Sequence, residues 1–227
     1  MTPIDILYCG TLAPLGPRAV ASGIAKRPMP GPWTITRTGI VGDAQGDTQH
    51  HGGLEKAIHH YPHDHYAAWR LENPDVPAFH RAPAFGENIS TAGLTEDDVC
   101  VGDIYRLGGV RLQISQGRQP CWRLGAHSGW PELPKRVRAT ARTGWYYRVI
   151  EAGEVVPGSP CRLDHRPRPE WTVGRLMRAM LAREIDRDEL GLIAEIPELS
   201  EGWRQTCRKR LAAGKVEDWG ARLDGPA

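Results

Sequence analysis

No stretch of this 227-residue chain approaches the ~18 to 20 consecutive apolar residues that a membrane-spanning helix requires. A helical membrane protein is therefore not expected. A secretory leader is not expected either. Asp5 stands where such a leader needs positive charge, and Pro14, Gly16 and Pro17 break the mildly apolar segment from Ile6 to Leu15. The expected location is the cytoplasm. Charge of one sign is also missing: 29 basic and 27 acidic residues leave a net charge of +2. Nothing global then points to nucleic acid or a membrane surface as partner. The five cysteines, Cys9, Cys100, Cys121, Cys161 and Cys207, are widely spaced and form no C-x-x-C pair. That argues against a disulfide framework and against a four-cysteine zinc or iron–sulfur site. The G-x-x-x-x-G-K-[ST], G-x-G-x-x-G, H-E-x-x-H and G-x-S-x-G motifs are absent. Nucleotide hydrolysis, Rossmann redox chemistry, zincin proteolysis and α/β-hydrolase chemistry lose their signatures with them.

What the chain has in abundance is breakers. Its 26 glycines and 19 prolines make up close to a fifth of the residues, against about 12% in average proteins. A helix bundle cannot absorb that many, so a loop-rich, mainly β (α+β) body is expected. Ile4 to Tyr8, Trp33 to Thr36, Ile104 to Leu107, Val110 to Ile114 and Trp145 to Ile150 read as short strands. Gly108-Gly109 reads as a two-residue hairpin turn. Such strands suggest an antiparallel barrel or sandwich. One helix is expected inside this body, from His63 to Glu72, ended by Asn73-Pro74. The pattern changes after the stiff segment Arg166-Pro167-Arg168-Pro169. Thr172 can cap a helix whose apolar face is Val173, Leu176, Met177, Met180 and Leu181. Further helices fit Asp188 to Glu195 and Ser200 to a C-cap at Gly214. Residues 1–165 are thus expected to form a β domain and residues 166–227 a small helical one. The helices must pack on the body or on a second subunit, as in a homodimer, because they cannot hide their apolar stripes alone.

Charge is unevenly distributed. Eleven acidic residues lie between Val41 and Ile104, and eight basic ones between Arg111 and Arg148. The basic stretch suggests a local anionic ligand. Within it stands Gln119-Pro120-Cys121-Trp122-Arg123, where Arg118 and Arg123 favour the thiolate of Cys121, the form that ligates metals or attacks electrophiles. The other reading of Cys121 is a buried, inert cysteine. Six histidines, His50, His51, His59, His60, His63 and His65, fall in sixteen residues. They suit zinc or iron, although their spacing matches no standard site. Phe85-Gly86-Glu87-Asn88-Ile89 offers a glycine turn and an amide suited to heterocycle recognition. His51-Gly52-Gly53 offers backbone N–H groups to a ligand.

Taken in order, Gly42-Asp43, Gly46-Asp47, His51-Gly52-Gly53, His60-Tyr61-Pro62, Phe85-Gly86-Glu87-Asn88, Val101-Gly102-Asp103 and Gln119-Pro120-Cys121 resemble MOSC-domain proteins. The resemblance is nearest to the YiiM-like branch, and it continues through Gly144-Trp145-Tyr146. Residues Cys207 to Lys215 resemble that branch's C-terminal three-helix domain. The resemblance implies a β-barrel binding a molybdenum–molybdopterin cofactor. It also implies reduction of N-hydroxylated compounds, hydroxylaminopurine-type bases among them. Cys121 stands at the metal-ligating cysteine and Asn88 in the loop facing the pterin. Glu87, Gly52, Arg118 and Arg123 join Asn88 as expected cofactor contacts. His51 and His60 fall in matching motifs and could deliver a proton near neutral pH. The cofactor's phosphate needs counter-charge, for which Arg118, Arg123, Arg138, Arg142 and Arg148 form the pool. With no flavin or iron–sulfur signature in the chain, a separate flavin or iron–sulfur protein must supply electrons, and the helical tail is one place for it to dock. The same cysteine would also serve a sulfur- or cofactor-carrier module without turnover. A histidine-ligated zinc hydrolase is the third reading.

Overall fold

The structure is a computed structural model that describes residues 2–44, 46 and 52–225. Its centre is a seven-stranded sheet: β1 (Thr2–Ile4), β2 (Ile58–Pro62), β3 (Ile89–Thr91), β4 (Ile104–Leu107), β5 (Val110–Gly117), β6 (Trp145–Glu151) and β7 (Ser159–His165). The spatial order is β1-β7-β4-β5-β6-β2-β3. All neighbours are antiparallel except the parallel pair β2–β3. Edge strands β1 and β3 approach each other, so the sheet is nearly a closed barrel. Alternation fills its interior. Val110, Leu112 and Ile114 point in while Arg111 and Gln113 reach outward, and Trp145, Tyr147 and Val149 do the same on β6. Each such side chain contributes about 1.5 to 3 kcal/mol of burial. Leu107 pairs with Val110, so Gly108-Gly109 is the two-residue turn the sequence indicates. Trp33–Thr36 is a strand of a smaller three-stranded sheet. The N-terminal strand is interrupted: Thr2–Ile4 joins the barrel, and Leu7–Cys9 pairs elsewhere with Arg27–Met29.

The body carries more helix than expected. Besides α1 (His65–Glu72) there are α2 (Arg123–Ser128) and α3 (Leu133–Thr140). Both are short and begin beside prolines, which hid them among turn signals. Gly129 and Ala141 end them with left-handed backbone at φ of 78° and 54°. Together with Phe79 and Phe85 these helices enclose a second apolar cluster around Tyr61, Tyr66 and Trp69.

The tail forms α4 (Val173–Leu181), α5 (Arg187–Ala194), α6 (Glu201–Ala213) and a further helix α7 (Gly220–Asp224). Thr172 Oγ1 accepts from Arg175 N at 3.1 Å, the expected cap, and Asp186 does the same for α5. The tail packs on its own body: Val173, Leu176, Met177, Met180, Trp203 and Cys207 belong to the barrel's core cluster. Gly117 makes this possible, because a Cβ there would lie 2.0 Å from the Met177 sulfur. The Arg166–Pro169 segment is docked, with Arg166 paired to Asp103 at 2.7 Å and Arg168 to Glu198 at 3.1 Å. No helix among the described residues is long and apolar enough to cross a membrane.

Candidate functional site

Strand β5 ends at Gly117, and the chain then runs through Arg118, Gln119 and Pro120 to Cys121 before α2 begins. Arg118 N donates to Gly144 O at 3.1 Å, which ties this loop to the start of β6. The loop forms one wall of a cavity of about 590 Å³. Cys121, Arg118, His59, Tyr146, Asn88 and Gly86 all line it. Four cations, Lys26, Lys56, Arg118 and Arg123, line it as well, and no carboxylate does among the described residues. The cavity is thus built for an anion.

Alternation on β2 decides which histidine reaches it. Tyr146 pairs with His59 and Trp145 with His60, so successive residues face opposite ways. His59 and Tyr146 face the cavity, their rings 5.0 Å apart. His60 faces the barrel interior. Its Nδ1 is 3.1 Å from the Tyr147 hydroxyl, its Nε2 is 2.8 Å from Thr91 Oγ1, and burial pushes its pKa down to about 3. The expectation that His60 lines the site is therefore corrected: it is a satisfied core histidine. His51 lies outside the described residues.

His59 is as deeply buried but differs in what its ring meets. It is 3% exposed, and its Nε2 has no hydrogen-bond partner. Burial, then the charge of Arg118, push its pKa well below the usual imidazole range, against the weaker opposing pull of the Gly86 and Thr143 backbone beside the ring. Arg118 is 5% exposed, and its Nη1 likewise lacks a partner. Its guanidinium meets the Tyr146 hydroxyl, whose pKa burial raises and Arg118 lowers. Buried polar atoms without a partner are costly, and two such nitrogens line one cavity beside a cysteine sulfur.

The opposite wall is the Phe85–Asn88 loop. Asn88 Oδ1 accepts from His59 N at 3.0 Å, and its Nδ2 donates to Tyr8 O at 2.9 Å and Asp43 Oδ2 at 2.8 Å. Asp43 also pairs with Lys26 and accepts from Gly10 N at 2.7 Å. Asn88 therefore positions the wall through bonds that use its whole amide. Glu87 turns away from the cavity. It accepts from the Tyr66 hydroxyl and from Phe85 N at 2.9 Å, and burial raises its pKa. It shapes the loop and is not among the lining residues, contrary to the expected cofactor contact. Gly52 lies along a neighbouring groove and not along this cavity.

Of the arginine pool, Arg118 and Arg123 line the cavity. Arg142 pairs with Glu72 at 2.6 Å, Arg148 pairs with Glu55, and Arg138 donates to Leu181 O at 3.1 Å. Sequence reasoning missed Tyr146, Lys26, Lys56 and Glu96. Glu96 Oε1 accepts from Gly144 N at 2.6 Å and Thr143 N at 2.8 Å, and its Oε2 holds His65 Nε2 at 2.6 Å. It fixes the backbone against which Arg118 and His59 are set. No group of three or more His, Cys, Asp or Glu side chains that could hold a metal exists among the described residues. A metal here would have Cys121 as its protein donor and would need an organic chelate for the rest.

Comparison with known proteins matches this geometry to a family. The MOSC-domain model matches residues 47–162, and the model described as "YiiM-like, 3-alpha helix domain" matches residues 171–214. Protein YiiM of Escherichia coli K12 is 37% identical over 98% of both chains. The chain belongs to the MOSC-domain family, in its YiiM-like branch. Among solved MOSC structures of this branch, YiiM from E. coli superposes with a TM-score of 0.82 at 31% identity, covering 98% of this chain and 99% of that one. YiiM from Geobacillus stearothermophilus superposes at 0.77 with 33% identity, covering 92% and 98%. A protein named "Reductase" from Gibberella moniliformis is 39% identical over 79% of this chain, but the shared region is 32% of that relative.

Proposed function

We propose that this MOSC protein is a molybdenum-cofactor-dependent reductase of N-hydroxylated compounds, hydroxylaminopurine-type bases among them. The observation that carries the reading is one cavity holding the Cys121 sulfur beside two buried, unpartnered nitrogens, Arg118 Nη1 and His59 Nε2. These residues fit the cofactor that MOSC domains are associated with. A thiolate is the soft donor suited to a redox-active metal, and cationic side chains suit the pterin's phosphate. The relative named a reductase supports the reaction class.

The reaction takes N–OH to N–H, consuming two electrons and two protons and releasing water. When bound, the cofactor would supply the two-electron redox chemistry. The chain's own residues do the rest. Cys121 would hold the metal through its sulfur. Arg118, with Arg123 and Lys56, would face the anionic chelate, while Lys26 is committed to Asp43. His59 stays neutral at physiological pH, because burial and Arg118 disfavour its cation, and it offers Nε2 as a hydrogen-bonding partner inside the cavity. Tyr146 keeps its O–H for the same reason of burial. A separate flavin or iron–sulfur protein supplies the electrons.

The test uses protein made in a host that synthesises the cofactor. It should reduce a hydroxylaminopurine catalytically with a chemical reductant, and the Cys121→Ser variant should not. Labile sulfane sulfur on Cys121 with no metal and no turnover would support the carrier reading instead.

A further inference from the structure

A second groove of about 700 Å³ adjoins the cavity, and Lys56 lines both. It lies between the loop that leads to Cys121 and the first turns of α6. Its chemistry is the reverse of the cavity's. Gln116, Gln119, Ser200 and Thr206 contribute neutral polar groups, and Leu54 and Trp203 contribute apolar surface. Leu54 is 53% exposed and offers its side chain at the groove's surface. Ser200 is 2% exposed, yet its Oγ has no hydrogen-bond partner and does not cap α6. Ser200 N is meanwhile held by Ser115 O at 2.9 Å, which keeps the residue against β5. A buried hydroxyl without a partner costs about 1 to 3 kcal/mol unless a ligand completes it. Among the described residues, the charged ones lining it are Lys56, at the boundary, and Glu55, which is paired with Arg148.

We infer that this groove seats the substrate's ring system. It takes a neutral, planar nitrogen heterocycle of purine type, with Trp203 and Leu54 as apolar walls and the Ser200 hydroxyl and Gln119 amide at its hydrogen-bonding edge. Apolar walls with a few convergent neutral polar groups are what such a ring requires. The two clefts then divide the ligands by charge: the anionic chelate in the cationic cavity, the neutral base in the groove. Lys56, which lines both, is where they meet, and Gln119 stands on the groove side, two residues before Cys121. This inference rests on the N-hydroxylated-base reading above and adds to it the side chains that select the ring.

The experiment titrates cofactor-free full-length protein with adenine by calorimetry, so that no loaded metal is needed. Wild type should bind. Gln119→Ala and Ser200→Ala should each weaken binding by about tenfold, the loss of one hydrogen bond of about 1.4 kcal/mol. Thr206→Trp, which fills the groove, should abolish binding while its circular dichroism stays native. In loaded enzyme Gln119→Ala should raise KM for a hydroxylaminopurine by about tenfold and leave that for ring-free N-methylhydroxylamine unchanged. Adenine binding that is absent in wild type, or equal in all variants, overturns the inference. The two readings fail separately. Groove-insensitive adenine binding with sustained turnover sinks the groove alone, whereas groove-dependent binding without N–OH reduction sinks the reductase reading alone.

Discussion

The cavity wall and the barrel interior each bury a histidine, and the two are adjacent in sequence. His60 points inward and has both ring nitrogens bonded, to Tyr147 and Thr91. His59 points outward into the cavity with Nε2 unpaired, next to an unpaired Arg118 Nη1. Burial is equally deep, at 0% and 3% exposure, so burial alone does not separate structural from functional polar groups. Satisfaction does. The interior histidine is complete without a ligand, and the cavity histidine is not. The comparison teaches that, of these two neighbouring rings, the one on the cavity side has capacity left for a ligand and the one in the interior does not.

The comparison breaks most easily at the cavity. Cys121→Ser should lower N–OH reduction by more than about a hundredfold, since loss even of a supporting interaction at a metal site costs 10- to 100-fold. Steady-state assays of loaded protein measure this. Next in size is Arg118→Met, which should weaken cofactor retention by about tenfold or more through loss of a charge-assisted bond. The same change should leave cofactor-free protein at least as stable in a thermal melt, because it removes a buried unpaired donor. A large drop in melting temperature would show that Arg118 is satisfied by the fold alone.

On the interior side, His60→Ala should destabilise the chain by about 2 to 4 kcal/mol in denaturant melts, because it strands the Tyr147 and Thr91 hydroxyls and opens a cavity. Its metal binding per folded molecule should persist. The wild-type pH profile carries the same signature. The folded-state pKa of His60, about 3, lies below the ordinary value of 6.5. The unfolded chain therefore binds the extra proton between these values. The stabilisation is whole above pH 6.5 and is lost as pH falls from 6.5 towards 3. The smallest effect is expected from Tyr66→Phe, which removes the hydroxyl joining Glu87 and Ala84 N. It should cost about 1 to 2 kcal/mol and leave cofactor content unchanged, in keeping with a supporting role for Glu87.

Much of this was legible in the chain. Period-two runs such as Val110 to Ile114, the Gly108-Gly109 turn and the Thr172 cap are local signals, and the structure realises each. Helices α2 and α3 were not legible, because Pro120, Pro131 and Pro134 surround them with turn chemistry and tertiary packing of Leu124, Leu133 and Val137 decides them. Cys121 and Arg118 were legible from a loop following a strand. The choice of His59 over His60 was not, because it depends on the register of β2 against β6, a long-range pairing. Once that register is known, alternation alone selects the ring that faces the cavity. Glu87 misled for a related reason: a residue inside a ligand-facing loop can spend its side chain holding the loop.

The central claim is that the Cys121 sulfur and the cationic cavity around it hold a molybdenum–pterin cofactor. Molybdenum and pterin content of wild type and Cys121→Ser, purified side by side from a cofactor-producing host, tests it most directly. The account predicts near-stoichiometric metal and pterin in wild type and little metal in the variant. Equal metal and pterin in both proteins would contradict it.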